Sequence, residues 1–133
     1  MDAETRQFVR TRANHRCEYC GIHQRIYPDF AFHIEHIVVR QHGGEDELDN
    51  LALSCHLCNS KKGPNLSGLD PDTGALTRLF HPRTDRWTDH FQAAENGRVI
   101  GITDVGRTTV RLLEMNSEIR TRIRREILRL RDE

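Results

Sequence analysis

Four cysteines, with a few polar side chains between and just after them, are the residues of this 133-residue chain whose types and spacing could do chemistry. Cys17 and Cys20 form one Cys-x-x-Cys pair, and Cys55 and Cys58 form a second. In each pair the two-residue gap lets one backbone knuckle present both sulfurs to the same ion, and four thiolates are what a tetrahedral structural zinc takes. A zinc closed by four cysteines has no open position, so it is a staple and not a catalyst. The rival reading is a thioredoxin-like redox pair, but neither motif sits in a βαβ pattern. Residues 21–54 separate the pairs and carry Glu35-His36, the turn Gly43-Gly44 and Asn50, while Asn59, Lys61 and Lys62 follow the second pair directly. The sequence therefore describes a metal-stapled segment with a histidine, a carboxylate and amides inside it.

The elements that must position these groups are modest. With 36% apolar residues the chain is expected to be a single domain over residues 1–133, with a core small enough to need the staple. Lys plus Arg and Asp plus Glu both number 20, so net charge argues neither for nor against a polyanionic partner, and any nucleic-acid contact must come from local patches. The start, MDAETRQFVR, lacks an apolar signal-like run, and no later stretch approaches a membrane span, so a cytoplasmic location is expected. In that compartment thiols stay reduced, which favours metal over disulfides.

In chain order, Asp2 caps a short helix to Arg12, with Phe8 and Val9 as its apolar contacts. The knuckle 17–21 leads into a polar loop, Ile22 to Phe30, with a turn signal at Pro28-Asp29. Phe32, Ile34 and Ile37 to Val39 read as strand around His33, Glu35 and His36, and Gly43-Gly44 breaks it. An acidic turn runs from Glu45 to Asn50, and after the apolar step Leu51 to Leu53 a helix starts near His56 and stops at Gly63-Pro64. Pro64 to Arg86 reads as an ordered wrap or linker and not a second core. Glu95-Asn96-Gly97 between Trp87–Ala94 and Arg98–Ile102 signals a hairpin. Thr103 caps a helix to about Met115 whose apolar contacts are Val105, Val110, Leu112 and Leu113, and Asn116 or Ser117 caps another. In that last helix Ile119, Ile123, Ile127 and Leu130 form an apolar stripe; Arg120, Arg122, Arg124, Arg125, Arg129 and Arg131 around it read as a solvated face ahead of a DNA-binding stripe.

Glu-His-Ile, then Gly-Gly, Asn-Leu and Cys-x-x-Cys-Asn-x-x-Lys-Gly resemble the HNH endonucleases, specifically bacterial ones whose ββα-metal hairpin is held by a four-cysteine zinc. The resemblance covers Cys17 to Gly63. It implies an α+β fold, a treble-clef-like core over about residues 14–63 with an added C-terminal hairpin and helices over about 64–133. It also implies a Mg²⁺-dependent DNA endonuclease that leaves a 5′-phosphate and a 3′-hydroxyl. Carried over residue by residue, His36 is the general base, Glu35 and Asn59 are the Mg²⁺ ligands, and Asn50 pins the hairpin loop that orients the histidine. Asn59 stands where the family's third letter is often His, and still offers an oxygen. Stretches of the tail resemble an extension on some bacterial members, but that likeness assigns it no role.

Strand alternation conflicts with this reading, because it sends neighbours Glu35 and His36 to opposite faces, and both reach one phosphate only if the strand ends or twists there. His33 shares a face with Glu35 and reads either as a supporting or extra ligand or as a half-buried strand histidine. His42 and His56 are loop and knuckle residues near the site. Lys61 and Lys62 read as phosphate contacts or as a solvated helix end that favours the dipole. Two other functions fit the same scaffold: a non-catalytic nucleic-acid-binding module, and an interaction subunit directed by a partner. Binding alone has no need of a base beside a metal site, which argues against the non-catalytic module.

Overall fold

The computed structural model describes residues 1–25 and 31–131, without the side chain of residue 131. The turn expected at Pro28-Asp29 lies outside the described residues. The class is α+β, with three two-stranded antiparallel sheets and five α-helices among the described residues. Among them no helix is long and apolar enough to cross a membrane. The chain divides into two compact units: Met1–Asn65 with His81–Asp85, and Leu66–Phe80 with the chain from Arg86 onward.

The first unit begins with helix α1 (Ala3–Arg12), capped as expected by the Asp2 carboxylate, which accepts from the Thr5 amide at 2.8 Å. Val9 on this helix is fully buried, whereas Phe8 is half exposed under the Arg12 guanidinium. Strand β1 (Phe32–His36) pairs with β2 (Leu51–Cys55), setting Glu35 opposite Ala52 and His36 opposite Leu51. Helix α2 (His56–Lys62) follows without a loop and stops at Gly63, whose φ of 50° closes its end. Val9, Leu51 and Leu53 form one apolar cluster, with Ala13, Phe32 and Ile34 packed on it, and Tyr19, Ile22, Ile37 and Ala52 are buried as well.

The expected run from Phe32 to Val39 is a strand only as far as His36. Beyond it the Ile37 amide donates to Asn50 O at 2.8 Å, and the chain turns through a short 3-10 stretch, Arg40–His42, into Gly43 at φ 91°.

The second unit corrects the expectation of a mere wrap over residues 64–86. Strands β3 (Ser67–Leu69) and β4 (Leu76–Arg78) form a hairpin, and Leu79 and Phe80 are buried in the second unit's core. Periodicity could not reveal three-residue strands held by their turn, where the buried Asp70 carboxylate accepts from the Asp72 amide. A helical turn, α3 (Trp87–His90), occupies the first half of what reads as a strand, and the hairpin predicted at Asn96-Gly97 follows as β5 (Phe91–Ala93) and β6 (Val99–Gly101).

Helix α4 (Asp104–Leu112) is capped by Thr103 and packs against β3, β4 and β6. A Cβ on Gly106 would stand 2.0 Å from the His90 carbonyl oxygen, so only glycine permits that approach. Helix α5 (Glu118–Arg131) carries the expected stripe, but Ile123 is its deeply buried member while Ile119 and Leu130 are exposed. Its arginines are not all solvated. Arg120 is buried, donating from Nη2 to Leu113 O at 2.6 Å and to Glu114 O, and Arg124 Nε donates to Gly97 O at 2.6 Å.

Candidate functional site

The cysteines meet as the spacing requires. All four are buried and unbridged, and their sulfurs lie within 4.8 Å of one another. Each knuckle turns an amide onto its first sulfur, Cys20 N to Cys17 Sγ at 3.4 Å and Cys58 N to Cys55 Sγ at 3.5 Å. Burial pushes the Cys17 and Cys58 thiols up, whereas hydrogen bonds from neighbouring thiols pull Cys20 and Cys55 down. A buried pocket that resists holding four thiolates at once, yet aims four sulfurs inward, suits a divalent cation. The residues fit zinc.

The second knuckle is continuous with β2 and α2, so the staple also fixes α2 against β1. His33 and Glu35 share the strand face that meets this helix. His33 Nε2 lies 3.2 Å from His56 Nδ1, and Glu35 lies one tier further along with Asn59 and Lys62. His33, Ile34, Glu35, His36, Val39, Asn59 and Gly63 line one cavity of about 330 Å³. His36 is the last residue of β1, still opposite Leu51, and both it and Glu35 line that cavity.

Glu35 is 6% exposed, and its Oε1 accepts no hydrogen bond of ordinary geometry, although the Tyr19 hydroxyl is close enough to act on the carboxyl. Burial pushes its carboxyl up, with Lys62, the Tyr19 hydroxyl and His36 opposing. A buried carboxylate oxygen without a well-placed donor is costly unless a cation is meant to meet it. Glu35 and Asn59 present hard oxygen donors of the kind Mg²⁺ takes, so these residues fit such an ion as well.

Lys62, read from the sequence as a phosphate contact or a solvated helix end, is neither. It is 2% exposed, donates from Nζ to Ile37 O at 2.9 Å and lies 3.8 Å from Glu35 Oε2. Helical spacing from Asn59 placed it on the right face, but how deeply that face is buried is a tertiary matter. Lys61, one residue back, is exposed.

The amide of Asn50 closes the loop between the strands. Its Oδ1 accepts from Val38 N at 2.8 Å, and its Nδ2 donates to Val38 O and Glu45 O at 2.9 Å each. Gly44 fits beneath it, where a Cβ would stand 1.7 Å from Val38 O. From α1, Arg12 donates to Leu48 O at 2.9 Å and Leu51 O at 2.7 Å, gripping the chain on both sides of Asn50.

Residues 17–65 match the model of the HNH endonuclease family. The segment is of the HNH type. The matched segment covers less than half of the chain, and it ends where the second unit begins. No curated protein and no solved structure is significantly similar to the chain.

Two features of the HNH segment escaped sequence reasoning. His36 Nε2 lies 2.6 Å from Asp46 Oδ1, an oxygen that also takes Arg40 Nη2 at 2.9 Å. Glu18, inside the first knuckle, accepts from the Leu53 amide at 2.8 Å and from Arg83, so the chain beyond α2 returns to brace the zinc knuckle. Asp46 lies in a run of acids, Glu45 to Glu47, in which nothing marks one carboxylate as different from its neighbours. His42 stays on the exposed loop, and His56 meets His33.

Proposed function

We propose that this chain is a metal-dependent DNA endonuclease in which His36 is the general base, Glu35 and Asn59 hold Mg²⁺, and Asn50 orients the histidine. The observation that carries the reading is the meeting of Glu35, His36 and Asn59 in one cavity, with a buried Glu35 oxygen that accepts no hydrogen bond of ordinary geometry. In hydrolysis one water adds across a P–O3′ bond. His36 takes a proton from that water as its oxygen bonds to phosphorus, and the 3′-oxygen departs to be protonated, leaving a 5′-phosphate and a 3′-hydroxyl. When bound, the cation supplies charge neutralisation at the phosphate and the departing oxygen. Lys62 and Tyr19 support Glu35 from behind, and Asn50 holds the loop on which the base depends. Zinc at the four cysteines is structural, and residues 1–133 are read as one functional nuclease domain, the second unit supplying no catalytic group.

Supercoiled-plasmid cleavage with and without Mg²⁺ tests this, comparing the wild type with His36→Ala. The variant is expected to keep its zinc and fold and to lose cleavage by about 10² or more. Removing Glu35 or Asn59 should instead raise the Mg²⁺ concentration required. A folded, zinc-loaded His36→Ala protein that cuts at the wild-type rate removes His36 from the mechanism and makes His33 the base to test. A wild type that binds DNA but never cuts it favours the non-catalytic module.

A further inference from the structure

We propose that Asp46 is the positioning residue for His36, its carboxylate accepting the Nε2 proton and thereby keeping the lone pair on Nδ1, the nitrogen left to take a proton from water. The inference rests on the nuclease reading for its consequence, but the contact itself stands on geometry.

The His36 Nε2 to Asp46 Oδ1 distance of 2.6 Å is that of a strong, charge-assisted hydrogen bond. Asp46 is exposed, and its carboxyl is held below the usual range first by the hydrogen bond from His36 and then by Arg40. An ionised carboxylate can only accept, so Nε2 must donate, and in a neutral imidazole the other nitrogen then carries the lone pair. Selection of one ring nitrogen by a bond to the other is how histidines are fixed in tautomer and in ring plane.

The loop delivers Asp46 to this place by construction. Asn50 ties Val38, two residues after His36, to Glu45, the residue before Asp46. The amide clamp thus closes the loop just behind the pair, and Arg40, from the turn inside it, donates to the same carboxylate oxygen at 2.9 Å. Orientation of His36 by Asn50 is accordingly indirect, with Asp46 as the link. As an exposed contact the pair contributes little to stability, so Asp46 can be changed without loss of the fold.

The test uses the full chain, zinc-loaded and ¹⁵N-labelled, in two arms. Long-range ¹H–¹⁵N correlation of the neutral His36 ring should show the Nε2-protonated tautomer in the wild type. In Asp46→Ala the proton should be shared between the two nitrogens, and Asp46→Asn, which keeps an acceptor, should lie nearer the wild type. In single-turnover cleavage at saturating DNA and Mg²⁺, Asp46→Ala should lose about 10- to 100-fold and Asp46→Asn less, with no change in the Mg²⁺ requirement.

The same tautomer in wild type and Asp46→Ala overturns the proposal, as does an unchanged rate or a raised Mg²⁺ requirement. The first arm needs no DNA, so a wild type that cuts nothing defeats the nuclease reading while the ring spectrum still decides whether Asp46 holds His36.

Discussion

Both units bury charged or ionisable side chains, and they satisfy them differently. In the second unit Asp70 is buried, yet receives a two-pronged bond from Arg107, at 3.1 and 2.7 Å, together with the Asp72 amide. Buried Arg120 spends its donors on carbonyls at the end of α4, where the helix dipole also favours a cation. In the first unit four sulfurs crowd one pocket, and Glu35 keeps an oxygen without a hydrogen bond of ordinary geometry. The second unit meets its buried charges with its own side chains and carbonyls, although the buried Thr108 hydroxyl lacks a partner there, whereas the clustered sulfurs of the first unit suit a metal ion. Dependence on a structural metal is therefore expected of the first unit, and the second should fold on terms of its own.

The strongest way to break that contrast is to remove zinc. Chelation, or Cys55→Ser, should release the metal and unfold residues 1–65, because the free energy of binding a structural zinc, of order 10 kcal/mol, is also folding free energy. Amide exchange followed by mass spectrometry should show protection lost there and kept in α4 and β6. Equal loss in both units would show that the second does not stand by itself.

Next in size, Arg120→Met leaves the Leu113 and Glu114 carbonyls without this donor, and should cost the second unit about 3 kcal/mol, read from its denaturation midpoint with zinc content unchanged. Destabilisation of the first unit to the same degree would again merge the two.

Gly44→Ala sharpens the comparison within the first unit. The added methyl meets Val38 O at 1.7 Å and the Asn50 amide nitrogen at 2.8 Å, so the loop must open. Cleavage should fall about 10²-fold, as expected for a misplaced catalytic group, while zinc stays bound. Wild-type activity in this variant would mean that the Asn50 clamp does not orient the site.

The smallest effect concerns acid. Arg107 holds the Asp70 carboxyl down to about 2 from 3.8, so the folded state favours the charged form. Its stabilisation is complete above 3.8 and disappears as pH falls through that window toward 2. Trp87, the chain's one tryptophan, lies in the second unit and reports on it. Fluorescence-monitored unfolding should show a steeper loss of stability over that window for wild type than for Asp70→Asn, and identical slopes would remove the pair from the account.

Spacing along the chain was enough to read the zinc staple, the Asp2 and Thr103 caps, the stop of α2 at Gly63 and the hairpin at Asn96-Gly97. Each is a local rule: a knuckle, a cap or a turn forms among residues a few positions apart, and the residue types needed are few. The resemblance over residues 17–63 was legible for a similar reason, since a short motif allows few residue types at its fixed positions. What the sequence could not contain was depth and direction. Lys62 and Arg120 look like surface cations until the tertiary structure buries them, and residues 64–86 look like a wrap until α4 packs on their short strands. Asp46 is one acid among several until a loop tied by Asn50 brings it 2.6 Å from His36. Burial and contacts across a closed loop depend on the summed packing of distant segments, and no short window of sequence holds that information.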